Sequence, residues 1–77
     1  MNPVKEIKMY EQVITDTKFL IELVERRITK LKTSNFFMVP SLIKDAEKEI
    51  KKHEIQIKYF VFCIQETEKK INGVNLV

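Results

Sequence analysis

With 77 residues, one cysteine and a formal net charge of +3, the chain can form one domain but no internal disulfide. Cys63 and His53 lack the usual zinc-site spacing, and a single glycine excludes a glycine-rich phosphate loop, so we expect no metal and no cofactor. A chain this short buries a small core and often gains stability by self-association, which predicts a homodimer.

The first predicted helix covers residues 3–33. Asn2 is a suitable N-cap and Pro3 suits the first helical position, where its missing N–H is harmless. No glycine or proline follows before Pro40. The residues 33–35 (Thr-Ser-Asn) prefer local side-chain hydrogen bonds and predict the end of this helix.

A loop is predicted over residues 34–40 and a second helix over residues 41–72. Ser41 is a suitable N-cap for this helix. Gly73 follows its predicted end and is typical of a left-handed C-terminal cap. The residues 73–77 would then form a short tail.

Residues spaced alternately three and four apart form a heptad stripe in each predicted helix. In the first helix they are Ile7, Tyr10, Ile14, Thr17, Ile21, Val24, Ile28 and Leu31. In the second they are Ile43, Ala46, Ile50, His53, Ile57, Phe60, Ile64, Thr67 and Ile71. Isoleucine occupies every a position, and such long heptads predict an all-α, antiparallel two-helix coiled-coil hairpin.

The two stripes also predict the register of the hairpin. If the chain folds back about residue 37, each a position of one helix faces a d position of the other. Ile28 then faces Ala46, and His53 lies in the seam near Thr17. We interpret His53 as a polar layer that sets the register, with a pH-sensitive switch as the alternative. Cys63 is interpreted as a small apolar residue beside the seam.

Apolar residues outside the stripes predict a further interface. They are Met9, Val13, Phe19, Leu20, Leu23, Ile55, Tyr59, Val61, Phe62 and Cys63. Ile55, Tyr59 and Phe62 follow an i, i+4, i+7 pattern opposite the seam. So broad an apolar surface predicts either a homodimeric four-helix bundle or a docking face for another protein.

The loop carries Phe36, Phe37, Met38 and Val39, which predict either a plug over the end of the hairpin or an exposed finger that enters a partner's pocket. The loop half is also basic. Residues 26–52 hold eight basic and three acidic side chains, whereas the remainder has a net charge of −2. The candidate polyanion-binding residues are Arg26, Arg27, Lys30, Lys44, Lys48, Lys51 and Lys52.

Together these patterns predict a non-catalytic protein, because no nucleophile lies near a base and no cleft surrounds the carboxylates. The favoured function is a dimeric interaction module that regulates or scaffolds a partner protein through Phe36, Phe37, Met38, Ile55, Tyr59 and Phe62. Binding of RNA or DNA by the basic loop half and a structural assembly subunit are the alternatives. No secretory leader is evident and the apolar runs are too short to span a bilayer, so we expect a cytoplasmic protein. Membrane binding is the least favoured hypothesis.

Overall fold

The computed structural model describes residues 2–75, which form two long helices. Helix α1 spans Pro3–Lys32 and helix α2 spans Val39–Asn75. The helices pack against each other as a hairpin, a rod with principal extents of 63 × 15 × 15 Å. The prediction of an all-helical hairpin is therefore confirmed.

The N-terminal signals of α1 act as predicted. The Asn2 side-chain oxygen accepts a hydrogen bond of 2.9 Å from the backbone N–H of Val4, and Pro3 is the first helical residue. At the other end, the Thr33 hydroxyl and backbone N–H both donate to the carbonyl of Lys30. These local bonds satisfy backbone groups that the helix ends leave without intrahelical partners.

The heptad stripes form the seam between the helices. Every a and d position from Ile7 to Leu31 and from Ile43 to Ile71 is buried or half-buried. The tightest part of the core contains Val24, Ile28 and Ala46, with the half-buried Ile43 packed against it. Ile28 and Ala46 belong to the same buried cluster, as the predicted register requires.

Two buried threonines interrupt this apolar seam without leaving a polar atom unsatisfied. The Thr17 hydroxyl donates to the Val13 carbonyl at 2.7 Å, and the Thr67 hydroxyl donates to the Cys63 carbonyl at 2.9 Å. Hydrogen bonding to the preceding turn allows threonine to occupy a helix interior at little cost. The seam therefore tolerates small polar residues both at its middle, at Thr17, and towards its open end, at Thr67.

The start of α2 differs from the prediction. The helix begins at Val39, two residues before the predicted cap Ser41. Val39 is buried, and Pro40 lies in the first turn, where its missing N–H costs no hydrogen bond. Burial of Val39 favours extension of the helix to this residue.

The predicted end of α2 was also wrong. The helix continues through Gly73 to Asn75, and Gly73 does not adopt a positive φ. Glycine is unfavourable inside a helix by roughly 1 kcal/mol relative to alanine, which one residue in the last turns can tolerate. Of the predicted tail, Leu76 and Val77 lie outside the described residues.

Candidate interaction surfaces

The heptad positions divide the hairpin surface into two flanks and two narrow edges. With Ile7 and Ile43 at position a, positions g and c of both helices share one flank. The Arg27 guanidinium, at a g position of α1, lies 3.6 Å from the Glu49 carboxylate at a g position of α2. This ion pair across the hairpin shows that the g sides of the two helices face the same way.

The middle of this g/c flank is apolar apart from Asp16 and Gln56, and we call its six apolar residues the apolar flank. They are Met9, Val13, Leu20, Leu23, Tyr59 and Cys63. Val13 and Cys63 are half-buried beside the seam, and the other four are exposed. Of these residues, only Tyr59 was among the binding residues predicted from the sequence. All six occupy g or c positions, so the heptad spacing could have identified the whole set.

The opposite flank, made by positions e and b, has a different character. Between residues 8 and 32 of α1 and residues 44 and 68 of α2, its positions are polar or charged apart from Val61. Both flanks border the same seam, so burial within the hairpin does not explain the difference. The apolar flank therefore needs another explanation.

The predicted stripe of Ile55, Tyr59 and Phe62 is exposed throughout but is divided between two surfaces. Tyr59 belongs to the apolar flank. Ile55 and Phe62 occupy f positions, which point directly away from the seam, and therefore lie on the narrow edge of α2. Phe19 holds the corresponding position on the edge of α1 and is also exposed.

Tyr59 connects the apolar flank to the seam. Its ring meets Phe60 edge-on, with centroids 5.3 Å apart, and Phe60 in turn lies 5.7 Å from the Tyr10 ring across the hairpin. Hydrogen bonding with Cys63, one turn away on α2, raises the pKa of Tyr59. A phenol of ordinary pKa is already neutral at physiological pH, so the shift does not change the charge of the apolar flank.

The four apolar residues 36–39 divide into one buried and three exposed side chains. Val39, the first residue of α2, is buried, whereas Phe36, Phe37 and Met38, which we call the loop tip, are exposed. Phe37 is 83% exposed, and its ring centroid lies 5.1 Å from that of Phe36. The loop thus presents two contacting aromatic rings beyond the closed end of the seam.

Backbone hydrogen bonds order this loop. The Phe36 N–H donates to the Ser34 hydroxyl at 3.3 Å, and the Phe36 carbonyl accepts from Val39 N at 3.1 Å. The Met38 carbonyl accepts from Leu42 N at 3.1 Å. Because these bonds already fix the turn, binding of the loop tip would lose little conformational entropy.

All seven predicted basic residues are exposed, but they do not share one face. Arg27, Lys30 and Lys52 lie on the g/c flank, and Lys44 and Lys51 on the opposite flank. Arg26 and Lys48 occupy the two edges. The basic side chains therefore encircle the loop half of the rod, and among the described residues Arg27 is ion-paired with Glu49.

Two other polar features are a histidine in the seam and a depression on the surface of α1. His53 is half-buried in the seam, with Nε2 3.9 Å from a Glu49 carboxylate oxygen. Residues 2–75 contain no group of three or more His, Cys, Asp or Glu side chains that could hold a metal ion. A depression lined by Glu22, Glu25, Arg26 and Thr29 is open to solvent on the surface of α1.

Comparison with known proteins gives no match, so a function has to be inferred from the surface geometry. No protein-family model, curated protein or solved structure matches the chain. Neither described helix is long and apolar enough to cross a membrane.

Proposed function

We propose that the chain is a cytoplasmic, non-catalytic protein–protein interaction module. Two hairpins pair through their apolar flanks into a four-helix bundle, and the loop tip of each binds and regulates or scaffolds a partner protein. The observation that carries this proposal is the distribution of exposed apolar side chains. They concentrate on the g/c flank, the edges and the loop tip, while the e/b flank is polar.

Pairing of hairpins follows from the way helical bundles bury apolar surface. A two-helix seam covers one stripe of each helix, and a second apolar stripe on the same flank requires another layer of helices. A second copy of this chain offers such a layer with the same shape and composition.

The loop tip is suited to a protein pocket because it places two aromatic rings on an ordered turn. Aromatic side chains that enter a pocket often dominate the binding energy of an interface. The described backbone bonds hold the rings in place before binding, which reduces the entropic cost of association.

The pairing is tested by the oligomeric state of two matched variants in sedimentation equilibrium. Leu20 on the apolar flank is 45% exposed and Val61 on the opposite flank is 40% exposed. We expect the native chain to be dimeric, Leu20→Ser to weaken the dimer and Val61→Ser to leave it unchanged. A monomeric native chain, or equal effects of both substitutions, would contradict the pairing.

The partner site is tested by capture of host proteins with folded variants of the chain. Phe36 and Phe19 are matched, at 54% and 55% exposed, but Phe19 lies on the edge of α1. Phe36→Ser combined with Phe37→Ser should abolish capture of a partner that the native chain retains. Phe19→Ser should retain it, and a partner lost equally from both variants would place the binding site elsewhere.

Polyanion binding is a second candidate function, favoured by the exposed basic side chains around the loop half. Fluorescence anisotropy with duplex RNA and DNA provides the test. Binding through phosphate contacts should weaken steeply with salt, with a slope that counts the released ions. Lys48→Ala combined with Lys51→Ala should reduce both the affinity and that slope, whereas Lys5→Ala combined with Lys8→Ala at the open end should not.

A further inference from the structure

We infer that the second copy packs on the apolar flank in an antiparallel sense, so that α1 meets α1, α2 meets α2 and the two loop tips point in opposite directions. The two-fold axis passes beside Asp16 and Tyr59. This inference rests on the dimer of the proposed function and adds its geometry. It is based on a symmetry in the residues of the g/c flank.

The apolar residues of α1 are arranged symmetrically about Asp16. Val13 and Leu20 lie three residues before and four residues after it, and Met9 and Leu23 lie seven residues on either side. When a helix pairs with its own copy about a two-fold axis, each residue meets its counterpart across that axis. Val13 would therefore pack on the second copy's Leu20, and Met9 on its Leu23.

Two charged residues border this apolar segment at nearly equal distances from Asp16, and they carry opposite charges. Glu6 lies ten residues before Asp16, and Arg27 lies eleven residues after it. An antiparallel pair of α1 helices therefore brings each Glu6 close to the Arg27 of the second copy. The two contacts related by symmetry are both attractive.

The g and c positions of α2 show the same arrangement about Tyr59. Lys52 and Glu66 lie seven residues on either side of it, and Glu49 and Lys70 lie ten residues before and eleven residues after it. Both pairs have opposite charges, so pairing of α2 with its copy about Tyr59 is attractive at both. Tyr59 meets its own copy at the centre.

The two centres of symmetry lie at the same height along the hairpin, as one axis requires. The ion pair of Arg27 and Glu49 gives the common reference point. Asp16 lies eleven residues from this pair along α1, and Tyr59 lies ten residues from it along α2. At about 1.5 Å per residue the two centres agree to about 2 Å.

The alternative two-fold arrangement places both loop tips at the same end and α1 over α2. It would bring Met9 against Glu66 and Leu23 against Lys52, which buries charged groups against apolar ones. It would also place the basic loop halves, each with a net charge of +5 over residues 26–52, side by side. The antiparallel arrangement instead lays each basic half over the mildly acidic half of the second copy.

The contact area is sufficient for a dimer. With the axis at Asp16, the copies overlap from the first turn of α1 to just beyond Arg27, about 40 Å at 1.5 Å per residue. Multiplied by the 15 Å thickness of the rod, this overlap is about 600 Å² on each copy, at the lower end of stable interfaces.

The arrangement determines how the proposed module engages partners. The loop tips lie about 21 residues from the axis on each copy, so they are separated by about 60 Å along the bundle. Each dimer can then hold two partner molecules at once, one at each end. A dimer with both tips at the same end would present a single composite site.

A distance between spin labels tests the orientation. Lys32 is exposed on the e/b flank near the loop end, so Lys32→Cys places one label per copy outside the inferred interface. The background is Cys63→Ala, which removes the native thiol but keeps the apolar flank apolar. Double electron–electron resonance should give a distance of about 45–55 Å for the antiparallel dimer. A distance under about 35 Å would overturn the orientation while leaving the dimer intact. Absence of a dimer in the native chain would overturn the proposed pairing as well.

A substitution at the axis provides an independent measurement on the otherwise native chain. In the antiparallel dimer, Asp16 meets the Asp16 of the second copy, which is the one like-charge contact of the arrangement. Asp16→Asn should therefore lower the dimer dissociation constant about two- to fivefold. In the other arrangement Asp16 lies over Tyr59, so an unchanged or raised dissociation constant would overturn the inference. Glu22→Gln, which removes an exposed carboxylate on the opposite flank, is the matched control.

Discussion

Ile28 and Ala46 lie in the same buried cluster of the seam, where a large side chain of one helix accompanies a small one of the other. This pair lies between the ion pair of Arg27 and Glu49 and the loop. It therefore holds the closed end of the hairpin in register. Its contribution to the free energy of unfolding can be measured against that of an exposed residue of the same type.

Truncation of Ile28 should destabilise the protein far more than the same truncation at Ile55. Ile28 is 9% exposed and Ile55 is 67% exposed. Ile28→Ala should lower the free energy of unfolding by about 2–4 kcal/mol, because it leaves a cavity, and Ile55→Ala by less than about 0.5 kcal/mol. Urea unfolding at one fixed protein concentration measures both values. Equal losses would show that the edge of α2 is buried in solution.

At the loop, Val39 and Phe37 should show opposite behaviour despite their proximity. Val39 is 8% exposed, whereas Phe37 is almost fully solvent-accessible. Val39→Ala should cost about 1–3 kcal/mol of unfolding free energy, and Phe37→Ala about 0.5 kcal/mol or less. Thermal and urea unfolding of the two variants provide the comparison. A large loss for Phe37→Ala would mean that the loop tip folds onto the hairpin.

The ion pair of Arg27 and Glu49 should contribute little to stability although it marks the common flank. Its side chains are 57% and 44% exposed, so water and salt screen the attraction. A double-mutant cycle with Arg27→Ala and Glu49→Ala should give a coupling free energy below about 1 kcal/mol. The coupling should fall further in 1 M NaCl, and a coupling that is independent of salt would contradict this account.

Tyr10 should ionise at unusually high pH. Its hydroxyl donates a hydrogen bond of 2.7 Å to the Glu6 carboxylate, which raises the pKa of Tyr10 from 10.0 to about 12. The stabilising bond is fully present below pH 10 and is lost as the pH rises through 12. Tyrosinate absorbance in Tyr59→Phe isolates this titration.

Adding Glu6→Gln should lower the Tyr10 midpoint towards 10, because it removes both the charged acceptor and the repulsion of the phenolate. Glu11→Gln, on a neighbouring turn, serves as the control and should leave the midpoint unchanged. An unshifted midpoint in Glu6→Gln would exclude the carboxylate as the cause.

Gly73→Ala should stabilise the protein. Gly73 is helical, and no heavy atom lies within 4 Å of an added Cβ. Alanine should therefore raise the unfolding free energy by up to about 1 kcal/mol through its higher helix propensity. The left-handed cap expected from the sequence would give the opposite sign, so loss of stability on substitution would restore that interpretation. Urea unfolding distinguishes the two.

The seam, its register and the first cap of the hairpin could all be predicted from the spacing and type of the residues. The isoleucine heptads select one stripe on each helix, and the positions of His53, Thr17 and Ala46 within those stripes could be read directly. Periodic burial is a property of the helix, so it can be derived from spacing alone. The same spacing contained the g and c positions of the apolar flank, but only as residues left over from the seam.

The burial of the loop residues and the conformation of Gly73 are known only from the folded structure. Phe36, Phe37, Met38 and Val39 are all apolar, and their sequence does not indicate which one turns inward. The path of the backbone through the loop buries Val39 and leaves the other three side chains exposed to solvent. Gly73 likewise stays helical because α2 extends past it. Such positions depend on how the chain closes on itself, and no repeating spacing encodes that closure.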